Sequence, residues 1–395
     1  MSIPTVPLTS IAEVKLGRQR SPQNHDGPNM RKYLRAANVG WSGLLLEDVK
    51  SMNFSDSEME TFRLKPGDIL LNEASGSATE VGKPAIWSGE IEECAFQNTL
   101  LRVRCGPNAN PQYLLHYFRW QAATSAFARG SRGVGINHLG RDALAKWPVP
   151  LPSLHAQRRI ASILDHADAA LRKRRHTVSL TKSIERAAFA AACRDGDTRA
   201  SLAELGITFT SGKNVVGSAH DTHPDNRVIK VSAISSGQFD PAESKPMPTS
   251  YTPPPNHRIH SGDVLFGRAS GSLDLLGATA IVDKPCDNLF LPDKVWRLEV
   301  PECCQVLPDF VLGILRSQEF LAFVRHNASG AAGVRNIAKA KLLQYRAPVP
   351  ARDDQQTYCD VAARSRRQAR FLAESTKFMD ELLGCLQSRA FSGQL

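Results

Sequence analysis

The chain has 395 residues, 42% apolar and 22% charged, enough for two or three domains that each bury a core. A formal net charge of +10 and a pI near 9.3 favour an anionic partner, nucleic acid first among them. Eight cysteines lie scattered without a CxxC spacing, which argues against a zinc site or disulfide framework and for reduced thiols in a cytoplasmic protein. The chain starts without a basic-then-apolar signal, and its longest small-apolar run, 187–193, is too short for a bilayer, so no membrane partner is expected.

Residues 3–145 mix short apolar runs with Gly and Asn punctuation. The runs 33–39, 68–71 and 99–103 read as strands, and Ile86-Trp87 before Ser88-Gly89 as a strand entering a turn. Leu114, Leu115, Phe118, Ala122 and Phe127 recur at helical spacing and predict a helix ending near Gly130. At Pro148-Val149-Pro150-Leu151-Pro152-Ser153 three prolines exclude helix and leave Ser153 as an N-cap. Beyond it Leu154, Ile160, Ile163, Leu164, Ala167, Leu171, Val178, Ile184 and Ala188 recur at three- and four-residue steps, with no Pro or Gly before Gly196. This predicts one helix of roughly 40 residues, about 60 Å long at 1.5 Å per residue. It is basic: Arg158, Arg159, Arg172, Lys173, Arg174, Arg175, Lys182, Arg186 and Arg194 face four acids.

After this helix the pattern starts again. Leu64-Lys-Pro-Gly-Asp-Ile-Leu-Leu-Asn-Glu-Ala-Ser-Gly-Ser77 returns as Ile259-His-Ser-Gly-Asp-Val-Leu-Phe-Gly-Arg-Ala-Ser-Gly-Ser272, 195 residues on. The same offset pairs Leu34-Arg35 with Ile229-Lys230, Gly82 with Gly277 and Arg102 with Arg297; it drifts to 199 for Asn137 and Asn336, and to 200 for the second Pro-Val-Pro at Pro348. That Pro-Val-Pro opens a second helical stretch, 353–389, with apolar steps at Val361, Ala362, Ala369, Leu372, Phe378, Met379, Leu382, Leu383 and Leu386. Such a register over most of two halves marks a tandem duplication. The expected class is α+β: a mixed α/β domain at 1–150, a central helix at 151–196, a second mixed domain at 197–350 and a distal helix at 351–395. The two helices are expected to bury their apolar stripes against each other as an antiparallel coiled coil.

The stretch Pro148-Val-Pro-Leu-Pro-Ser-Leu-His-Ala-Gln-Arg-Arg-Ile-Ala-Ser-Ile-Leu-Asp165 resembles the central helix of specificity (S) subunits of type I restriction-modification systems, and the Pro-Gly-Asp-Ile-Leu string at Pro66 and its echo at Ser261 are similar to the family too. The resemblance covers essentially the whole chain. It implies two target recognition domains, each reading half of a bipartite double-stranded DNA site, held apart by the helices as a spacer. It further implies a non-catalytic subunit without a cofactor of its own. Adenine methyltransferase (M) subunits would bring S-adenosylmethionine, and a restriction/translocase (R) subunit would use ATP. Partner docking falls on Gln157, Arg158, Arg159 and Ile160; the second helix opens Pro350-Ala-Arg-Asp-Asp-Gln-Gln and lacks the Arg-Arg-Ile.

Catalytic constellations are scarce. Gly76-Ser-Ala-Thr-Glu-Val-Gly82-Lys83-Pro84 departs from a phosphate-binding loop in spacing and in its proline. Asp225, Glu243 and Lys245 have the outline of a metal-dependent nuclease, but Met30 stands opposite Asp225 in the first repeat. The alternatives to a specificity subunit are a single-chain nuclease with built-in recognition and a protein-protein scaffold without DNA. Binding chemistry is richer: basic and amide side chains gather at Gly-rich turns, where backbone approaches phosphates or grooves. In the first domain these are Arg18, Arg20, Lys32, Arg35, Asn72, Arg129, Arg132 and Asn137. In the second they are Lys213, Arg227, Lys230, Arg268, Lys294, Arg325, Asn327, Arg335 and Asn336. Arginine suits guanine edges, asparagine adenine edges, and lysine phosphates.

Overall fold

The computed structural model describes residues 3–129, 137–194, 196–215, 225–283, 286–330 and 333–395. It separates into two compact units, Met1–Thr177 with Leu372–Leu395, and Val178–Phe371.

In the first unit the strand Ile69–Asn72 is buried along its length, because the sheet is covered on both faces. Alternate side chains point opposite ways. Ile69 and Leu71 join the core beneath the helix Pro111–Ala123, while Leu70 joins Leu34, Trp87 and Phe96 on the other side. The four-stranded sheet runs Ala12–Leu16, Leu100–Cys105, Ile69–Asn72, Pro84–Ile86, all neighbours antiparallel. A three-stranded sheet places Met30–Leu34 between Ala95–Phe96 and Lys50–Asn53. Three short pairs complete the unit: Thr5–Pro7 with Pro148–Pro150, Val39–Gly40 with Gly43–Leu44, and Ala74–Ser75 with Asn137–His138.

The second unit repeats this plan except for the pair Val39–Gly40 with Gly43–Leu44, in whose place stands the short helix Ser232–Ser235. Its four-stranded sheet runs Thr208–Ser211, Val295–Glu299, Val264–Gly267, Thr279–Ile281. Arg227–Ile229 lies between Ser244–Pro246 and Leu289–Phe290, Thr198–Ser201 pairs with Arg346–Val349, and Ala269–Ser270 pairs with Arg335–Asn336. Leu265 and Phe266 point into different cores, as Leu70 and Leu71 do.

The long helices run Leu154–Ala192 and Arg352–Phe391. Ser153 Oγ accepts from the Ala156 amide at 3.3 Å, as a cap does. Each helix is tied at its start by a buried glutamine. Gln157 accepts from the Asn110 amide at 2.8 Å and donates to the Asn108 and Pro152 carbonyls at 3.1 and 2.9 Å. Gln355 repeats the bonds with Leu307, Gln305 and Pro350 at 2.8, 3.2 and 2.9 Å. Within the first unit Arg174 donates to Ser375 Oγ, Arg175 pairs with Asp380 at 2.6 Å, and Ile160 and Leu164 share a core with Leu383, Leu386 and Phe391. Within the second, Ser365 Oγ donates to the Thr181 carbonyl at 2.8 Å and Arg194 pairs with Asp354 at 2.9 Å. In both units rising numbers on one helix meet falling numbers on the other.

Several local expectations are corrected. Residues 33–39 are not one strand: Met30–Leu34 gives way to a 3₁₀ turn, Ala36–Asn38. The cause is buried Asn38, which accepts from the Arg35 amide at 3.1 Å and donates to the Leu45 and Asp48 carbonyls. The helix expected to run on to Gly130 breaks at Ser125, whose φ is 54°, and Ala126–Arg129 forms a separate turn of helix. Ile184, Phe378 and Leu382 were expected in the apolar seam but are 52, 66 and 45% exposed. The helix contact also includes polar pairs, Arg174 with Ser375, Arg175 with Asp380, and Ser365 donating to the Thr181 carbonyl.

Candidate nucleic-acid interface

In the second unit four chain stretches converge at the pair Ala269–Ser270 and Arg335–Asn336. Arg335 stands opposite Ser270, and Asn336 opposite Ala269. The Ile337 amide donates to the Arg268 carbonyl and the Arg268 amide to the Lys294 carbonyl, both at 3.0 Å. Ser329 and Asn336 exchange two backbone bonds at 2.8 Å, which draws in the end of the helix Gln318–His326. Gly330 permits this return: its φ is 129°, and an added Cβ would lie 2.2 Å from the Val334 carbonyl oxygen. The structure therefore brings together Arg268, Lys294, Arg335 and Asn336, with Arg325 and Asn327 at the adjoining helix end. Lys294, Arg325 and Arg335 are exposed.

Arg268 is held rather than free. Its Nε donates to the Asp293 carbonyl at 2.9 Å and its guanidinium lies 5.4 Å from the Trp296 ring centroid. Lys339 lies 5.4 Å from the same ring and donates to the Phe209 carbonyl at 2.6 Å. Two cations on one indole keep positive charge at this edge and limit their side-chain freedom. Sequence reading passed over Trp296 and Lys339; the only signal was Lys339's place three residues after Asn336.

The first unit builds the same pair with different chemistry. Asn137 stands opposite Ser75, and the Leu139 amide donates to the Glu73 carbonyl at 2.8 Å. Glu73 occupies the place of Arg268, and its carboxylate meets His138 Nδ1 at 3.4 Å. Asn72 is buried, gives Nδ2 to the Glu80 carbonyl at 3.5 Å, and leaves Oδ1 without a hydrogen bond among the described residues. Arg129 is exposed and donates to the Thr124 carbonyl at 2.9 Å; Arg132 lies outside the described residues.

Other expected contacts sit elsewhere. Arg18 is spent inside the unit: it pairs with Glu58 at 2.6 Å, donates to the Asn53 carbonyl at 2.7 Å and lies over Phe54. Arg20 is exposed. Lys32 and Arg35 border the three-stranded sheet, Lys32 exposed and Arg35 paired with Asp48 at 2.5 Å. The Lys50 hydrogen bond, ahead of Arg35, holds the Asp48 carboxyl below its ordinary value. In the corresponding sheet of the second unit Arg227 donates twice to Ser244, at 2.9 and 3.1 Å, and Lys230 faces Glu243 at 3.6 Å. Lys213 is exposed, 5.5 Å from the Tyr251 ring. The nuclease outline does not assemble: Lys245 donates to the Val215 carbonyl at 3.0 Å, Glu243 accepts from Ser232, and the described residues hold no cluster of three metal-ligating side chains. Of the docking tract, Gln157 and Ile160 are 1 and 3% exposed, whereas Arg158 and Arg159 face solvent; the docking expectation therefore rests on the two arginines.

Residues 5–180 match the family described as "Type I restriction modification DNA specificity domain". This part of the chain is similar to the type I restriction-modification DNA specificity domain. The likeness to type I specificity subunits read from the sequence is thus borne out. The chain is 23% identical over 275 residues to the type I restriction enzyme EcoKI specificity subunit of Escherichia coli K12, covering 64% of this chain and 57% of that protein. It thus spans little more than half the length of this curated relative. Among solved structures it is similar to the S subunit of a type I restriction-modification system from M. genitalium, with a TM-score of 0.54, 11% identity and coverage of 99% and 96%. A chain from a study of assembly and conformational transition in the type I R-M system gives 0.52, 15%, and 100% and 98%. At these identities the likeness to the two solved chains is one of fold. No described helix of this chain is long and apolar enough to cross a membrane.

Proposed function

We propose that this chain is the DNA sequence-specificity subunit of a type I restriction-modification complex, each globular domain reading one half of a bipartite double-stranded target. The observation that carries the reading is the recurrence of the specificity domain's sheet plan beyond residue 180, with a basic edge at Arg268, Lys294 and Arg335. Tandem domains that differ at their edges, Glu73 against Arg268, suit two half-sites of unlike sequence. The two long helices act as an antiparallel coiled-coil spacer. The chain has no chemistry or cofactor of its own: adenine methyltransferase subunits supply S-adenosylmethionine chemistry, a restriction/translocase subunit supplies ATP-driven cleavage, and Arg158 and Arg159 serve their docking.

Expression with the neighbouring methyltransferase, followed by genome-wide mapping of methylated adenines, should return one bipartite motif. Exchanging residues 197–350 for those of another specificity subunit should change one half of it alone. Methylation without a motif, or a change in both halves, would overturn the reading. Binding to the target duplex should fall steeply with salt, since each phosphate contact releases counterions.

A further inference from the structure

In the second unit a cavity of about 690 Å³ opens beside the C-terminal turns of the helix Leu154–Ala192. Phe189 and Tyr358 make its apolar wall, their ring centroids 5.4 Å apart. Arg316 closes its floor, donating to the Thr279 hydroxyl and carbonyl at 3.1 and 3.2 Å and facing Glu185 at 3.6 Å. The first unit has a cavity of about 480 Å³ lined by Trp41, His116 and Arg119, the counterparts of Ser236, Gly313 and Arg316; there Arg119 pairs with Asp168 at 2.9 Å. The contrast lies in what fills the space. Trp41 occupies the position of Ser236, His116 that of Gly313, and Trp120, whose ring packs 5.4 Å from Phe391, that of Ser317. The first unit thus narrows with side chains of its own chain a space that the second leaves wider.

We propose that the second cavity is a socket for an aromatic side chain, flanked by a carboxylate, carried on an associated polypeptide. Aromatic rings bury large areas and pack edge-to-face against walls such as Phe189 and Tyr358. The carboxylate follows from the rim. Arg194, Arg199 and Arg316 have acidic partners in Asp354, Glu319 and Glu185, whereas exposed Arg186 enters no ion pair among the described residues. A polypeptide occupant rests on the reading of this chain as a scaffold for other subunits, and on the first unit, where the filling groups are themselves protein side chains.

The test uses the full chain and acetyl-(5-fluoro-Trp)-Glu-amide, observed by ¹⁹F NMR. The probe resonance should broaden on addition of the chain, and unlabelled acetyl-Trp-Glu-amide should reverse this at least tenfold more effectively than acetyl-Ala-Glu-amide or free indole. Ser236→Trp restores the residue of the first repeat and Ala190→Trp crowds the rim from an exposed helix position; each should weaken the probe at least tenfold. Target-DNA binding by both variants should stay unchanged, which separates failure of the socket from failure of the DNA reading. Absence of broadening at millimolar probe, broadening untouched by both variants, equal competition by acetyl-Ala-Glu-amide, or equal competition by free indole would each overturn the proposal.

Discussion

Replacing Gln157 by leucine tests whether the globular part of the first unit is pinned to the long helix. The glutamine is 1% exposed and makes three hydrogen bonds, one accepted from the Asn110 amide and two donated to the Asn108 and Pro152 carbonyls. Asn110 is also the N-cap of the helix Pro111–Ala123, accepting from the Tyr113 amide at 2.9 Å. Leucine keeps the bulk but strands one buried donor and relieves two carbonyls of a partner. An unsatisfied buried group costs about 1–3 kcal/mol. The donor should dominate, because a carbonyl's loss is softened by its second lone pair, so the sum should be about 3 kcal/mol. For a unit of this size that is a fall of about 6–12 °C in Tm. Calorimetry of the full chain measures it, and hydrogen exchange locates it. Exchange should rise over residues 108–123 and 154–160 in Gln157→Leu, and over 305–316 and 352–360 in Gln355→Leu. A loss below about 1 kcal/mol, or faster exchange away from those segments, would refute the pin.

Three further outcomes follow from particular contacts. His116 is buried with Nε2 2.8 Å from Asp165, beside Arg119 and Asp168; burial outweighs the carboxylate and depresses the imidazole below its ordinary 6.5. The unfolded chain therefore binds the proton more readily, so this contribution is present above about pH 6.5 and is lost as the pH falls toward the depressed value; denaturant melts at pH 8 and 5.5 should show a slope that His116→Asn flattens, and an unchanged slope would refute it. Gly313→Ala should cost about 1–3 kcal/mol, since the new Cβ would sit 2.5 Å from Tyr358 Oη and 2.7 Å from Phe189 Cδ2; a thermal melt equal to wild type contradicts this. Arg335→Ala should weaken target binding by about 1–3 kcal/mol and relax one base position in the methylation map, whereas Lys294→Ala should lower affinity for all sequences alike and reduce the salt slope by about one; a sequence-independent loss at Arg335 would move it to the phosphate contacts.

The parts of the fold legible in the sequence are those where one physical rule acts alone. Prolines at 148, 150 and 152 exclude helix, and uninterrupted apolar spacing after them requires it, so the helix Leu154–Ala192 could be read directly. The duplicated Gly-Asp-aliphatic string exposed the repeat because buried strands such as Ile69–Asn72 and Val264–Gly267 tolerate little but apolar side chains on either face. Legibility failed where a side chain's partner is distant in sequence. Nothing near Arg18 announces that Glu58 and Phe54 will consume it, and nothing near Arg268 announces Trp296. Gln157 shows the same limit from the opposite side. Its place beside two arginines read as a docking surface, yet its amide matches the Asn110 amide and two carbonyls so fully that the fold keeps it inside, and Gln355 repeats the arrangement without the arginines. A repeat is thus informative in two ways: what both halves keep, as with these glutamines, serves the fold, and what they exchange, Glu73 for Arg268 or Trp41 for Ser236, is where the proposed readings place different partners.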